Sequence, residues 1–336
     1  NDSMKVSHEK AAFLIHTTST PWCVLLPLSG WLGAMTGYLT SGGVPDDQAI
    51  TVLFQSIPLN FYCIIAVAFA LISCLAPVDF GPMKKAEERA SLTGALDDPA
   101  HVASSSSQSA TKLAPKAKPH LANMIVPIVV MIATIIGVLY VTGSGNLTKG
   151  AGMQALLWGS VLSVLSISVM CLAEKVFTLE ELTNEVLKGM CTMFGIATIL
   201  CLAFTLGPLV KQLGTGAYLS SIFMQFLTPS LLPLLTFIIA MILSFATGTS
   251  MGTMAIMAVI ALPMAIDMGV NIPLTAGAMF GGSIFGDHAS PISDTTIMSC
   301  ATSGCNIMDH IKTQMPYVLG FACVSMVLYV VCGFIM

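Results

Sequence analysis

The sequence predicts an all-α polytopic membrane protein in which two of the spanning helices are discontinuous. Three observations predict it. The 336 residues are 55% apolar and 9% charged, whereas a soluble domain carries roughly 25% charged residues. The apolar segments run for about 20 residues, the length that crosses a hydrocarbon core of about 30 Å as helix, and they lack the alternation of a β-barrel strand. The third is the stretch Gly286-Asp287-His288-Ala289-Ser290-Pro291-Ile292-Ser293-Asp294-Thr295-Thr296. It sets two carboxylates and a run of hydroxyls in sequence that is otherwise uncharged between Asp267 and Asp309.

Residues 1–18 are polar. A first span is expected at 21–40, with Pro21 at the helix start, where its missing N–H costs nothing. Gly42, Gly43, Pro45, Asp46 and Asp47 make an acidic turn. A second span covers 52–76, with Pro58 and Asn60 inside it. Residues 77–120 change character: Lys84-Lys85-Ala86-Glu87-Glu88-Arg89 and four consecutive serines from Ser104 read as a flexible linker joining two halves. The chain thus divides into 1–76, 77–120 and 121–336.

Spans three and four are expected at 122–142 and 153–173. Between 174 and 188, Thr178 and Glu181 have capping-box spacing and Leu179, Leu182 and Val186 share a face, as in an interfacial helix. A fifth span follows at 189–209. Residues 212–266 hold no charge, and 230–266 as one straight helix would be about 55 Å long. The break is expected in Ser244-Phe245-Ala246-Thr247-Gly248-Thr249-Ser250-Met251-Gly252-Thr253, at Gly248. The segments 272–286 and 287–304 and a last span at 316–336 complete the chain. If spans alternate, residues 1–18, 77–120 and 174–188 share a side and carry ten Lys and Arg, against two opposite. The positive-inside rule makes the first side cytoplasmic, so this is a multi-pass protein of the cell (inner) membrane with a cytoplasmic linker.

A carboxylate near the bilayer centre costs about 2.5–3.5 kcal/mol and marks function. Pro291 cannot donate to the carbonyl four residues back, that of Asp287, so one residue offers both a carboxylate and a freed backbone oxygen. Bare backbone at that depth is tolerated only where it is buried or lines a cavity. Broken helices whose ends meet are how secondary transporters build ion sites, and hard cations take oxygen ligands. Asp287 is the expected coupling carboxylate, binding a cation or a proton. Asp294 is a second ligand or a helix cap. Ser290, Ser293, Thr295, Thr247, Thr249 and Ser250 are candidate ligands, though such hydroxyls also bond back to helix carbonyls. His288 is a proton relay or a hydrogen-bonded structural residue.

Other classes fit less well. The basic residues form no stripe for nucleic acid. The ten cysteines contain no CxxC pair and read as packing residues, and no transition-metal site is expected from Cys300, Cys305 and His310. An intramembrane aspartyl protease would need Gly where Ile284 stands and a Tyr-Asp partner that the chain lacks, so no enzyme is expected. A channel accounts poorly for broken helices carrying coupled carboxylates.

The run Phe285 to Ile297 closely resembles the signature of the NhaC-type Na+/H+ antiporters. The stretch Ser244 to Thr253 and the motif Asp309-His310-Ile311-Lys312-Thr313-Gln314-Met315-Pro316-Tyr317 are also similar. The resemblance implies an inverted-repeat secondary transporter that exchanges Na+ for protons, with no cofactor beyond the transported ions. Its partners would be the lipid bilayer and those ions, with a homo-oligomer left open. Ser7-His8-Glu9-Lys10 through Pro21 looks like the motif closing the first half of such proteins, which implies that much of a first repeat precedes this chain. Where that motif has Asp, this sequence has His16 before Thr17 and Thr18, and His16 becomes a second candidate proton relay. The alternative is a Na+- or H+-coupled transporter of a small organic acid or amino acid on the same fold.

Overall fold

A computed structural model describes residues 5–26, 31–76, 78–97, 122–145, 152–174, 176–191, 212–213 and 228–336. Its ordered elements are α-helices and short 3-10 turns: α1 (His8–Leu25), α2 (Trp31–Ser41), α3 (Asp46–Ser56), α4 (Phe61–Leu75), α5 (Gly81–Thr93), α6 (Ala122–Thr142), α7 (Gly152–Ala173), α8 (179–191), α9 (Leu232–Thr247), α10 (Ser250–Met268), α11 (Ile272–Ala289), α12 (Asp294–Ser303) and α13 (Ile307–Ile335). Among the described residues, Ala122–Thr142, Pro229–Thr247, Ser250–Met268 and Ile307–Ile335 are long and apolar enough to cross a membrane, and Asp46–Leu59 with Phe61–Leu75, bent by 52°, has the length and composition of a broken span or a re-entrant loop. The expected fifth span at 189–209 lies outside the described residues beyond 191.

The chain divides into two compact units. One holds 27–34 and 111–199. In it α6 and α7 pack as a hairpin, because Gly159 lets α7 approach Ile135 and Met131 and Ser163 Oγ donates to the Pro127 carbonyl at 2.9 Å. The expected capping box starts α8: Thr178 N–H donates to Glu181 at 2.8 Å and Glu181 N–H to Thr178 Oγ1 at 3.3 Å.

The other unit holds the remaining residues and is organised around α11. Every residue from Leu274 to Ala289 is buried. This is possible because α11 is rich in Gly and Ala. A Cβ on Gly282 would lie 2.4 Å from the Phe237 carbonyl oxygen, and one on Gly286 2.3 Å from the Phe245 nitrogen, so α9 packs backbone to backbone on that face. On another face Gly277 meets Leu59 and Ser56, and Gly281 meets Asn60 and Tyr62. Small residues at four-residue spacing permit this approach, the usual device where lipid gives no hydrophobic drive between helices.

Helix interruptions occur where the sequence puts turn chemistry. The expected break at Gly248 is present: α9 ends with Gly248 at φ 68, and Thr249 caps α10. The break at Pro291 is wider than a kink. Ser290 closes α11 and Ser293 caps α12. A further break divides the expected second span at Ile57-Pro58-Leu59, where Asn60 caps α4 through a bond from Cys63 N–H and Tyr329 OH donates to the Leu59 carbonyl at 3.1 Å.

Two expectations are corrected. The helix carrying Pro21 begins at His8, not at 21, because Ser7 caps it and its polar first turn is paired elsewhere in the fold; Pro21 lies inside α1. The reading of 77–120 as a flexible joint fails for 78–97. There α5 forms and buries Met83, Ala86 and Ala90, its Arg89 and Glu87 being matched by Glu9 and Lys10 of α1. Residues 98–120 lie outside the described set.

Candidate functional site

The two carboxyl-terminal interruptions meet. A Cβ on Gly248 would come within 2.8 Å of Ile292 Cγ1 and 3.1 Å of the Ile292 carbonyl. Four half-helix ends therefore lie together: the carboxyl ends of α9 and α11 and the amino ends of α10 and α12. Ala in place of Gly248 must adopt a left-handed conformation, at about 1–2 kcal/mol, and press on the Ile292 backbone. We expect Gly248→Ala to lower the melting temperature of the purified protein while Gly137→Ala, whose Cβ would meet nothing within 4 Å, leaves it unchanged.

Asp287, in the last turn of α11, is 1% exposed. Its Oδ1 accepts from Ser293 Oγ at 2.6 Å, and Oδ2 lies 3.5 Å from Ser250 Oγ. Ser293 is the cap of α12 and Ser250 the first residue of α10, so the carboxylate faces the amino ends of two half-helices, where the helix dipole favours an anion. Among the described residues no Lys or Arg is paired with it. A buried carboxylate held by hydroxyls and helix ends alone is free to balance its charge with a cation or a proton.

The structure brings together some of the residues singled out in the sequence and disperses others. Ser250, Ser293 and Thr295 join Asp287; Thr295 Oγ1 is 2.8 Å from Ser293 Oγ. Ser290 is buried beside them, but its hydroxyl accepts from Ile292 N–H and its carbonyl accepts from Thr296 Oγ1 at 2.9 Å. Thr249 caps α10 through Gly252 N–H. Thr247 is exposed and bonds back to the Leu243 carbonyl at 2.9 Å. Asp294 is exposed in the first turn of α12 and accepts from its neighbour Thr295 N–H. The cap role weighed for it belongs to Ser293.

The imidazoles form a second layer. His288 is held on both nitrogens, by Tyr62 OH at 2.9 Å and Thr17 Oγ1 at 3.0 Å, and its carbonyl accepts from Gln314 Nε2 at 2.7 Å. His16 Nε2 lies 3.0 Å from Thr295 Oγ1, and its Nδ1 lies 3.2 Å from His310 Nε2. A continuous chain thus runs Asp287, Ser293, Thr295, His16, His310. With Asp287 ionised, Ser293 donates to it, Thr295 donates to Ser293, and His16 donates from Nε2, so His310 must donate to His16 Nδ1. With Asp287 protonated every one of these bonds can reverse. Tyr62, Thr17 and Gln314 were not identified from the sequence as partners of His288, although Thr17 and Gln314 lie in the motifs quoted there; no local spacing links them to residue 288, which only folding brings to them. Among the described residues no group of three or more His, Cys, Asp and Glu is arranged to hold a metal ion.

A sequence model of the Na+/H+ antiporter family matches residues 22–334. The chain belongs to the Na+/H+ antiporter family. This makes it an integral membrane protein of a transporter family rather than an enzyme. It is 27% identical over 351 residues to an uncharacterized protein of Haemophilus influenzae, covering 99% of this chain and 65% of the relative. It is 29% identical over 161 residues to the malate-2H(+)/Na(+)-lactate antiporter of Bacillus subtilis, covering 47% and 34%. It is 33% identical over 110 residues to the Na(+)/H(+) antiporter NhaC of the same organism, covering 33% and 24%. The chain spans less than two thirds of the length of each of these relatives.

Proposed function

We propose that this member of the Na+/H+ antiporter family exchanges Na+ for protons across the cell (inner) membrane, at Asp287. The observation that carries the reading is a buried carboxylate between two half-helix amino ends whose hydrogen-bond donors, among the described residues, are hydroxyls. Asp287, Ser250 and Ser293 supply oxygens to the cation. When it leaves, a proton takes its place on the carboxylate, and competition for one group makes the two fluxes obligatory. His16 serves as the relay, because Thr295 and Ser293 connect it to Asp287 without a gap. His288, held by Tyr62 and Thr17, keeps the structural role. The excess of Lys and Arg supports reading 77–120 as cytoplasmic.

The test uses the full-length protein in everted vesicles with a pH-sensitive dye. After respiration acidifies the lumen, Na+, Li+ and K+ are added in turn. Na+ is expected to reverse the quenching and K+ to leave it unchanged. Silence toward all three cations would favour a second reading, exchange of small organic acids, for which the similarity to a malate–lactate antiporter speaks. Counterflow of labelled malate or lactate would then be measured.

A further inference from the structure

We propose that residues 78–97 are a latch that closes the linker side of the transport pathway, and that opening this side requires its ion pairs with α1 to break. The proposal rests on the reading of the chain as an alternating-access transporter, not on the identity of the ion.

Three tiers are stacked along one face of α1. Glu9 and Lys10 lie outermost, Phe13 one turn in, and His16 and Thr17 a further turn in, so about 10 Å of helix separates the charges from the imidazoles. The outer tier is ionic. Arg89 of α5 grips both oxygens of the buried Glu9 at 2.8 and 2.9 Å and also donates to the Ala95 and Leu96 carbonyls. Glu87 accepts from Ser7 N–H at 2.9 Å and from its hydroxyl at 2.6 Å. Lys10 pairs with Asp79 and approaches Glu87 at 3.8 Å, and His8 meets Asp97 at 2.8 Å. Every one of these partners comes from 78–97.

The middle tier is aromatic. Tyr317 of α13 packs against Phe80 at 4.5 Å, Phe69 at 4.8 Å and Phe13 at 5.2 Å between ring centroids. Its hydroxyl donates to Asp79 at 3.2 Å and accepts from Phe80 N–H, which ties this tier to the one above. The inner tier is the imidazoles, with Phe13 stacked on His288 at 6.3 Å. Beside this tier an open cavity of about 500 Å³ lies between Lys10, Asp79 and Glu87 on one side and Ser73 to Ala76 at the end of α4 on the other. The contacts of Lys10 with Asp79 and Glu87 border it, and Phe13 and the imidazoles follow further along α1.

A permanent structural clamp in this place would be simpler as apolar packing, since a buried ion pair adds little net stability over a hydrophobic replacement but is costly to leave half-broken. A pair whose partners are rehydrated as they separate avoids that cost, and Lys10, Asp79 and Glu87 already border an open cavity. That makes the interaction suited to opening and closing.

The test labels a single cysteine, Thr17→Cys, in cysteine-free full-length protein, with a membrane-impermeant thiol reagent applied from the linker side. The intact latch should keep labelling slow. Arg89→Gln should accelerate it at least about tenfold, as expected when a buried pair loses one partner, and Arg89→Lys, which keeps a cation on Glu9, should label markedly more slowly than Arg89→Gln. In a second arm, Ser7→Cys and Glu87→Cys joined by a short thiol-cleavable crosslinker should hold labelling at its minimum until a reductant is added. Labelling that ignores both the broken pair and the crosslink overturns the latch. The readout is independent of what is carried, so a silent vesicle assay with latch-dependent labelling would count against Na+/H+ exchange and for the latch.

Discussion

Asp287→Asn is expected to abolish cation-driven proton movement while leaving membrane insertion intact. Asn has nearly the volume of Asp, keeps one oxygen to accept from Ser293 and sets an NH2 that can donate to the Ser250 hydroxyl where the second oxygen stood, so the meeting of the four half-helix ends should survive. What is lost is the negative charge and the proton that can replace a cation on it. The initial rate of Na+-dependent dequenching should fall at least about 100-fold, equivalent to about 2.7 kcal/mol. The measurement is made at matched protein abundance in everted vesicles. Asp294→Asn is the control: the side chain is exposed, and its replacement should change the rate by no more than about twofold, the usual range for a surface substitution. Full activity in Asp287→Asn, or equal loss in both variants, would remove Asp287 from the mechanism.

Gly286→Ala is expected to destabilise the protein more than Gly248→Ala. The new Cβ would lie 2.3 Å from the Phe245 nitrogen and 2.3 Å from Ser244 Cβ. The nearest obstacle is backbone, so rotamer changes cannot relieve it. α9 and α11 must move apart, and the 2.6 Å bond from Ser244 Oγ to the Ser283 carbonyl is lost with them. Overpacking of a close-packed contact costs about 1–3 kcal/mol, and the broken hydrogen bond about 0.5–1.5 kcal/mol more. The readout is the temperature at which the detergent-solubilised protein loses its monodisperse elution peak. Gly320→Ala in α13, where nothing lies within 4 Å of the new Cβ, should leave that temperature unchanged. Equal behaviour of the two variants would show that the α9–α11 contact is looser than described.

Much of the architecture was legible in composition and local chemistry. Apolar segments of spanning length give the helices, because lipid leaves the backbone no partner but itself. Gly248 followed by Thr249 and Ser250 announces a helix end and a new cap, and Ser290-Pro291 with Ser293 does the same. Such signals are local: φ preference, a missing N–H, a hydroxyl within reach of the next turn. Asp287 was legible for a similar reason, since a carboxylate in so long an uncharged stretch has few structural uses.

Tertiary structure decided the rest. Whether Asp294 faces the site depends on how α12 rotates about its cap, and the fold turns it outward. Likewise, Thr247 points away from the site although it lies three residues from Ser250, which faces it. The partners of His288 come from Thr17 and Tyr62, far away in the chain, and no spacing rule reaches that distance. The charged segment 78–97 reads as a linker by composition, because its own sequence offers little to bury. Glu9, Lys10 and Tyr317 supply the partners that order it. The sequence by itself determined where helices run and stop, which is set by interactions within a few residues. Which buried side chains meet at Asp287, and what covers them, was decided only when glycine faces let distant helices come into backbone contact.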